Sequence, residues 1–93
     1  MKVKILGYTY PVIFSPPAEV GGMTEAGRMN PMKQIILIDP TASMQAREST
    51  LIHEIIEALN YHLELGLEHK TVMQLETALY AVLKDNPNLF KDI

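Results

Sequence analysis

The spacing of the apolar residues changes near residue 40 and divides the chain into two parts. Five of the six prolines and four of the five glycines precede residue 41, so apolar residues in this first part occur in short, interrupted runs. Such runs are typical of short strands and turns. Lys2–Tyr8 predicts a short strand pair, Gly27–Pro31 an edge segment with a turn, and Gln34–Ile38 the strongest strand. Because Gln34–Ile38 is nearly all apolar, we expect helices to cover both of its faces.

Beyond Pro40 the apolar residues recur at helical spacing. A first helix is predicted from Met44 onwards, with Thr41 or Ser43 as its N-cap. It continues to about residue 65, where Gly66 supplies the left-handed position that ends many helices. The residues of its apolar arc are Leu51, Ile52, Ile55, Ile56, Leu59 and Leu63. This arc predicts that one face of the helix packs against the sheet.

A second helix follows after a short loop. It is predicted from about Lys70 to Lys84 and is ended by Asn86-Pro87. Its apolar face consists of Val72, Leu75, Leu79, Val82 and Leu83. The chain is therefore expected to form one α+β domain over residues 1–93, with about three short strands followed by two packed helices. Its parts are strands and turns in 1–40, a first helix in 41–65, a second helix in 69–85 and a tail in 86–93.

Composition narrows the possible chemistry. The chain has 93 residues, of which 47% are hydrophobic and 20% charged, which is typical of a single globular domain. It contains no cysteine, so disulfides, thiolate metal sites and cysteine nucleophiles are excluded. Any chemistry must therefore use histidines, carboxylates or the backbone.

Charge and hydropathy predict which partners to expect. Eight Lys and Arg residues are scattered along the chain against eleven Asp and Glu residues, a net charge of −3, so we expect no nucleic-acid partner. No apolar run approaches the roughly 18 residues of a membrane span. The opening MKVKILGYTYPV also lacks the apolar core of a signal peptide. We therefore expect a cytoplasmic protein without a membrane partner.

Polar residues cluster on one face of the first helix. His53 and Glu57 are four residues apart, so their side chains lie on successive turns and can reach one metal ion. Glu54 lies beside His53, where it could accept a proton from metal-bound water. The alternative is that these residues, with Asn60, form an ordinary solvated face. Spacing alone leaves both interpretations open.

The second helix adds a further candidate ligand. Glu76 interrupts the apolar stripe of that helix, and a carboxylate in such a position needs a partner. In an antiparallel helix pair Glu76 would face the first helix and could complete a set of three ligands. His69 lies in the turn just before this helix or in its first turn. It is the alternative third ligand, or else a surface or capping histidine. We expect His62 to be a packed histidine and Tyr80 a core aromatic.

At this point the sequence resembles a known family. The segments Ser49–Tyr61, Leu67–His69 and Ala78–Pro87 are similar to the "TLLHEIxHA" and "LYxVLxDNP" helices of small zincin-like metallopeptidases encoded by phages and prophages. Gly27–Asp39 is similar to the edge strand that precedes the active-site helix of zincins. The resemblance spans about residues 27 to 87, and it rests on two separated motifs in the expected order.

The resemblance implies a role for each motif residue. His53 would be the first ligand of Zn²⁺ and Glu54 the general base. Glu57 stands where the family has its second histidine, which makes the motif HExxE rather than HExxH. The third ligand would be Glu76 or, alternatively, His69. A carboxylate in place of an imidazole adds negative charge, which weakens the pull of the metal on its water.

The function implied is zinc-dependent hydrolysis of peptide bonds in a bacterial host cell. A peptide or protein substrate would lie antiparallel along the exposed edge formed by residues 27–38. The alternative is a catalytically inactive zincin-fold protein that acts as a phage accessory or protein-interaction module. Sequence alone leaves the substrate and the oligomeric state open.

Overall fold

A computed structural model describes residues 1–16, 19–20, 23–24 and 26–93. Its elements are β1 (Lys2–Ile5), β2 (Tyr8–Phe14), β3 (Glu19–Val20), β4 (Met23–Thr24), β5 (Gly27–Asn30), β6 (Ile35–Ile38), α1 (Met44–Leu63) and α2 (His69–Asp85). The predicted α+β class, a sheet followed by two helices, is confirmed. The expected three strands were too few, because the main sheet has four strands and β3 pairs separately with β4.

The main sheet has the order β1-β2-β6-β5. Strand β2 is antiparallel to β1 and parallel to β6, while the edge strand β5 is antiparallel to β6. Pro11 lies inside β2 without breaking it. The pairing with β6 begins only at Val12, whose N–H donates to the Met1 carbonyl on the β1 side at 2.9 Å. Successive N–H groups of a strand point to opposite sides, so the missing N–H of Pro11 lies where no ladder bond is needed.

The core lies between the sheet and α1. Its buried cluster consists of Ile5, Tyr10, Val12, Ile36, Ile38 and Ala58. Helix α1 contacts β1, β5 and β6, whereas α2 contacts α1 alone among the described elements. The expectation that helices cover both faces of the strongest strand is therefore wrong. On the face opposite α1, Leu37 is partly exposed and Ile13 has 43% of its surface exposed. No helix in the described ranges is long and apolar enough to cross a membrane.

The ends of α1 differ in how well the sequence predicted them. Ser43 caps the start, and its hydroxyl accepts a hydrogen bond from the Ala46 N–H at 3.1 Å. The left-handed residue at the end is Glu64, with φ 52° and ψ 45°, rather than Gly66. Helix α1 therefore ends two residues before the predicted position. Gly66 also has a positive φ, but it lies beyond the helix in the connecting loop.

The loop between the helices is held by the side chain of Asn60. Its Oδ1 accepts from the Leu67 N–H at 2.9 Å, and its Nδ2 donates to the Leu67 carbonyl at 3.2 Å. Asn60 therefore satisfies both backbone groups of one loop residue. Asn60 thus fixes the backbone of Leu67, two residues before α2 begins. It is therefore a structural link and not simply a member of the solvated polar face that the sequence suggested as an alternative.

Candidate functional site

The predicted site residues of α1 lie beneath the edge strand β5. A cavity of about 250 Å³, the histidine cavity, is lined by Gly27, Arg28, Met29, His53, Glu54, Glu57 and His69. An adjoining cavity of about 450 Å³, the glutamate cavity, is lined by Ala26, Gly27, Thr50, His53, Glu54, His69, Met73 and Glu76. The two cavities share Gly27, His53, Glu54 and His69. All five residues singled out as candidate ligands or base therefore line one of two neighbouring cavities.

The edge strand approaches α1 closely because residue 27 is glycine. A Cβ atom on Gly27 would collide with Cγ2 of Thr50 and would lie 2.9 Å from the Leu37 carbonyl oxygen. It would also lie 3.3 Å from Oε2 of Glu54. The absence of a side chain thus lets the strand pass directly over the helical turn that carries Glu54.

Glu54 is the one buried charged or polar residue in the described part of the chain, with 6% of its surface exposed. A carboxylate is seldom so buried outside a paired or functional position. It lines both cavities and lies directly beneath β5. The residue that the resemblance assigns as general base is therefore the most shielded carboxylate of the described chain. Glu57, one turn further along α1, lines the histidine cavity and is half-buried.

Glu76 joins the two helices through His53. One carboxylate oxygen lies 2.7 Å from Nδ1 of His53, and the other accepts a hydrogen bond from the Ser49 hydroxyl. An ionised carboxylate only accepts hydrogen bonds, so this contact favours the proton on Nδ1 and leaves Nε2 as the free lone pair. Glu76 faces α1, as the antiparallel helix pair predicted. Its described contacts are with the histidine ring and Ser49.

His69 is the first residue of α2, and its ring is next to that of His53. The ring centroids are 5.7 Å apart with an interplanar angle of 64°. His69 therefore lies within the same cavity as His53 and Glu57, while its own side chain is exposed. The structure brings the rival third ligand to the site as well as Glu76.

The donor chemistry of these residues suits a transition metal. Two imidazoles and neighbouring carboxylates are the ligand types that zinc takes in catalytic sites. However, no group of three or more His, Asp or Glu side chains in the described ranges converges closely enough to hold a metal in the observed rotamers. The residue types therefore fit the implied zinc, and the side chains would have to turn to bind it.

Sequence reasoning missed three contributors to the site. Ser49 was not singled out, although it lies four residues before His53 and hence on the same helical face. Gly27 was noted only as part of an edge segment. Arg28, on the exposed strand beside it, lines the histidine cavity. The helical spacing of Ser49 was the one available signal among these, whereas the glycine contact depends on tertiary packing.

Tyr80 lies in the second half of α2, one turn beyond Glu76. Its hydroxyl donates to Oε1 of Glu48 at 2.9 Å, and Nζ of Lys84 lies 3.2 Å from the same oxygen. The Tyr80 hydrogen bond and then the Lys84 ammonium lower the pKa of Glu48. Loss of hydration, and then the hydrogen bond to Glu48 and its charge, raise the pKa of Tyr80. Tyr80 is thus a half-buried link between the helices through its hydroxyl.

His62 is a packed histidine, as expected, and the structure shows that its neighbours are tyrosines. Its Nε2 lies 2.5 Å from the Tyr10 hydroxyl, and its ring stacks on Tyr8 with centroids 4.2 Å apart. The rings of Tyr10 and Tyr61 meet it edge-on. Burial raises the pKa of Tyr10. This cluster ties the end of α1 to the hairpin of β1 and β2.

Comparison with protein-family models, with curated proteins and with solved structures finds no match to this chain. What the site can do therefore follows from its own chemistry. A shielded carboxylate, an oriented imidazole with one free nitrogen, and a second imidazole line neighbouring cavities under an edge strand.

Proposed function

We propose that the protein is a zinc-dependent peptidase of zincin-like type, encoded by a phage or prophage and acting in the bacterial host cell. The observation that carries this proposal is the pairing of His53 with Glu76 next to the buried Glu54. A carboxylate that orients a histidine by its Nδ1–H is the usual support of a metal-ligating imidazole.

The proposed ligands are Nε2 of His53, the carboxylate of Glu57 and the imidazole of His69. His69 is preferred to Glu76 because the two carboxylate oxygens of Glu76 are already engaged by His53 and Ser49. Glu76 would then hold the ring of His53 in place instead of binding the metal. When bound, zinc supplies Lewis-acid chemistry that acidifies water and polarises a carbonyl group.

Glu54 is the proposed general base. It lines the cavity beside His53, and its burial shields it from competing solvent. Its carboxylate would accept the proton of the attacking water and then pass it to the amine that leaves when the peptide bond breaks. The motif pairs this base with a carboxylate ligand, Glu57, so we expect slower turnover than with two histidines at these positions.

The substrate would pair with β5. Among the described strands β5 pairs only with β6, so the other edge of Gly27–Asn30 carries backbone groups that a peptide can bond. Because this strand passes over Glu54, a peptide added to it would bring its carbonyl groups near the base. The exposed side chain of Arg28 lies on this strand and lines the histidine cavity.

Zinc titration of the purified chain tests the proposal. We expect zinc to raise the melting temperature, with about 2.7 kcal/mol of added stability at a hundredfold excess over the dissociation constant. Excess chelator should reverse this shift. The His53→Ala variant should lose the response, and Glu54→Gln should keep it while losing hydrolysis of a denatured protein substrate. An unchanged melting temperature in zinc, with no metal found by elemental analysis, would contradict the proposal.

A second candidate is a catalytically inactive zincin-fold protein that serves as a phage accessory or interaction module. The observation that favours it is the lack of three converging metal ligands in the described ranges. The two candidates differ in one measurement. A Glu54→Gln protein that supports the same host phenotype as the parent chain indicates the module, whereas loss of the phenotype with retained folding indicates the peptidase.

A further inference from the structure

A third cavity, the arginine cavity, lies where β2 and β6 end and shares no lining residue with the histidine or glutamate cavities. It has a volume of about 300 Å³ and is bounded by Met1, by the ends of β2 and β6 and by the first two turns of α1. Strands β2 and β6 run parallel, and their last residues, Phe14 and Ile38, are paired. A crevice outside the carboxyl ends of parallel strands is a common place for a ligand.

The wall of the arginine cavity is mostly apolar. Val12 and Ile38 are buried and form its floor, whereas Phe14 is 48% exposed and Met44 66% exposed at its rim. An aromatic ring and an unbranched thioether at the rim adapt readily to an alkyl chain. Its volume is at the lower end of the range for small-molecule sites, so the body of a fitting ligand is short.

Arg47 gives this apolar cavity a cation. Its Nε is buried and has no hydrogen-bond partner within the described part of the chain. A buried donor without an acceptor destabilises the protein, and a turn of the side chain that brought Nε to the cavity would let a ligand supply the acceptor. The arginine lines the cavity, and its planar guanidinium group suits two parallel bonds to a carboxylate.

The neighbouring acidic residue, Glu48, is shared between this cation and a second one. Glu48 also lines the cavity, but its Oε1 accepts from Tyr80 and lies 3.2 Å from the Lys84 ammonium. The charge of Glu48 thus interacts with Lys84 on α2 and also with its neighbour Arg47. Arg47 and Lys84 against Glu48 leave one net positive charge beside an apolar wall, which is complementary to a single negative charge on an apolar body.

We propose that the arginine cavity binds a medium-chain aliphatic carboxylate, with its carboxylate on Arg47 and its alkyl chain along Val12, Phe14 and Met44. The ligand is a free carboxylate with one alkyl chain, because the cavity offers one cation and a short apolar wall. This inference is independent of the metal and of peptidase activity.

Titration of the isotope-labelled full chain with octanoate, followed by amide NMR shifts, tests the inference. We expect saturable shifts confined to the ends of β2 and β6 and the start of α1. Octanol, which lacks the charge, and acetate, which lacks the chain, should each bind at least about tenfold more weakly. Equal responses to octanol and octanoate, shifts elsewhere, or no saturable shift with octanoate would overturn it.

Three variants separate the charge from the fold. Arg47→Gln should weaken octanoate binding at least about tenfold, since a charge-assisted bond is lost. Met44→Glu places a negative charge at the exposed rim and should weaken it likewise without disturbing the core. The matched control Lys70→Gln, an exposed change on α2, should leave binding unchanged. If Arg47→Gln and Met44→Glu both fold and bind octanoate like the parent chain, the proposal is wrong.

Discussion

Glu76 on α2 lies 2.7 Å from Nδ1 of His53 on α1, and the Ser49 hydroxyl binds its second oxygen. One carboxylate therefore orients a histidine across the helix interface. Both side chains of the pair are about four-fifths shielded, at 18% and 21% exposure. In the proposed zinc site Glu76 would therefore position His53, whereas His69 would bind the metal.

The Glu76→Gln variant should bind zinc more weakly by roughly 10–100-fold, the usual effect of removing the partner of a ligating histidine. The amide oxygen can still accept from Nδ1, so the ring should stay in place while it loses the negative charge behind it. Competition with a zinc indicator measures the affinity. His69→Ala, which removes a proposed ligand, should lower the affinity more.

Ser49→Ala is the milder control for the same network. It removes one hydrogen bond to Glu76 but leaves the contact with His53, so zinc affinity should fall less than with Glu76→Gln. If Glu76→Gln abolishes binding while His69→Ala has no effect, Glu76 is itself the ligand and the assignment made here is wrong.

The helices were predictable from sequence, while the details at their ends and contacts were not. Helix α1 begins at Met44 as its apolar spacing and Ser43 cap indicated, because both signals are local. Its end was misplaced because Asn60 binds Leu67 and turns the chain before Gly66. The two bonded residues are seven positions apart, and such a contact produces no periodic pattern in the sequence.

In the sheet and the site, too, features that depend on nearby residues were predicted from sequence, whereas those that depend on tertiary contacts were not. Glu76 was expected to face α1, since a carboxylate in an apolar stripe needs a partner. Its contact with Nδ1 depends on side-chain rotamers, which spacing does not determine. The open face of the sheet at Leu37 was missed because a continuous apolar strand resembles one covered on both sides. Zinc binding and peptidase activity remain predictions.

Asn60→Ala should destabilise the fold by about 1–3 kcal/mol, since it removes two hydrogen bonds that each contribute about 0.5–1.5 kcal/mol. Both bonds go to the backbone of Leu67, just before His69, so the placement of that histidine should also loosen. Urea denaturation measures the loss. Asn86→Ala is the matched control, because exposed Asn86 makes one such bond at the end of α2. Equal losses in the two variants would refute a special role for Asn60.

The link between Glu48 and Tyr80 predicts a pH dependence. The pKa of Glu48 is lowered from its ordinary value of 4.5, first by the Tyr80 hydrogen bond and then by Lys84. A lowered folded-state pKa means that this stabilisation is present above the unfolded value and is lost as the pH falls through the folded value. NMR titration should find that Tyr80→Phe moves the pKa of Glu48 back towards its ordinary value.

Lys84 supplies the matching test at high pH. Its pKa is raised by the hydrogen bond and charge of Glu48, so its contribution persists below the unfolded pKa and is lost as the pH rises through the folded one. Glu48→Gln should therefore lower the pKa of Lys84. An unmoved Glu48 pKa in Tyr80→Phe would show that the hydroxyl does not bind the carboxylate in solution.

Gly27→Ala tests the close approach of the edge strand to α1. The new methyl group would collide with Thr50 and press on the Leu37 carbonyl and Glu54, so β5 must shift away from the helix. We expect a loss of about 1–3 kcal/mol in unfolding free energy, the usual cost of overpacking. Thermal and urea denaturation measure it, with the exposed turn variant Lys33→Ala as a control expected within about 0.5 kcal/mol of the parent chain.

A second substitution tests the same contact by removing the atom with which the new methyl group collides. In a Gly27→Ala background, Thr50→Ala deletes the colliding Cγ2, so part of the lost stability should return. The two changes should therefore be non-additive, as expected for residues in contact. Fully additive losses would mean that the strand does not lie against Thr50, and they would also remove the basis for placing a bound peptide above Glu54.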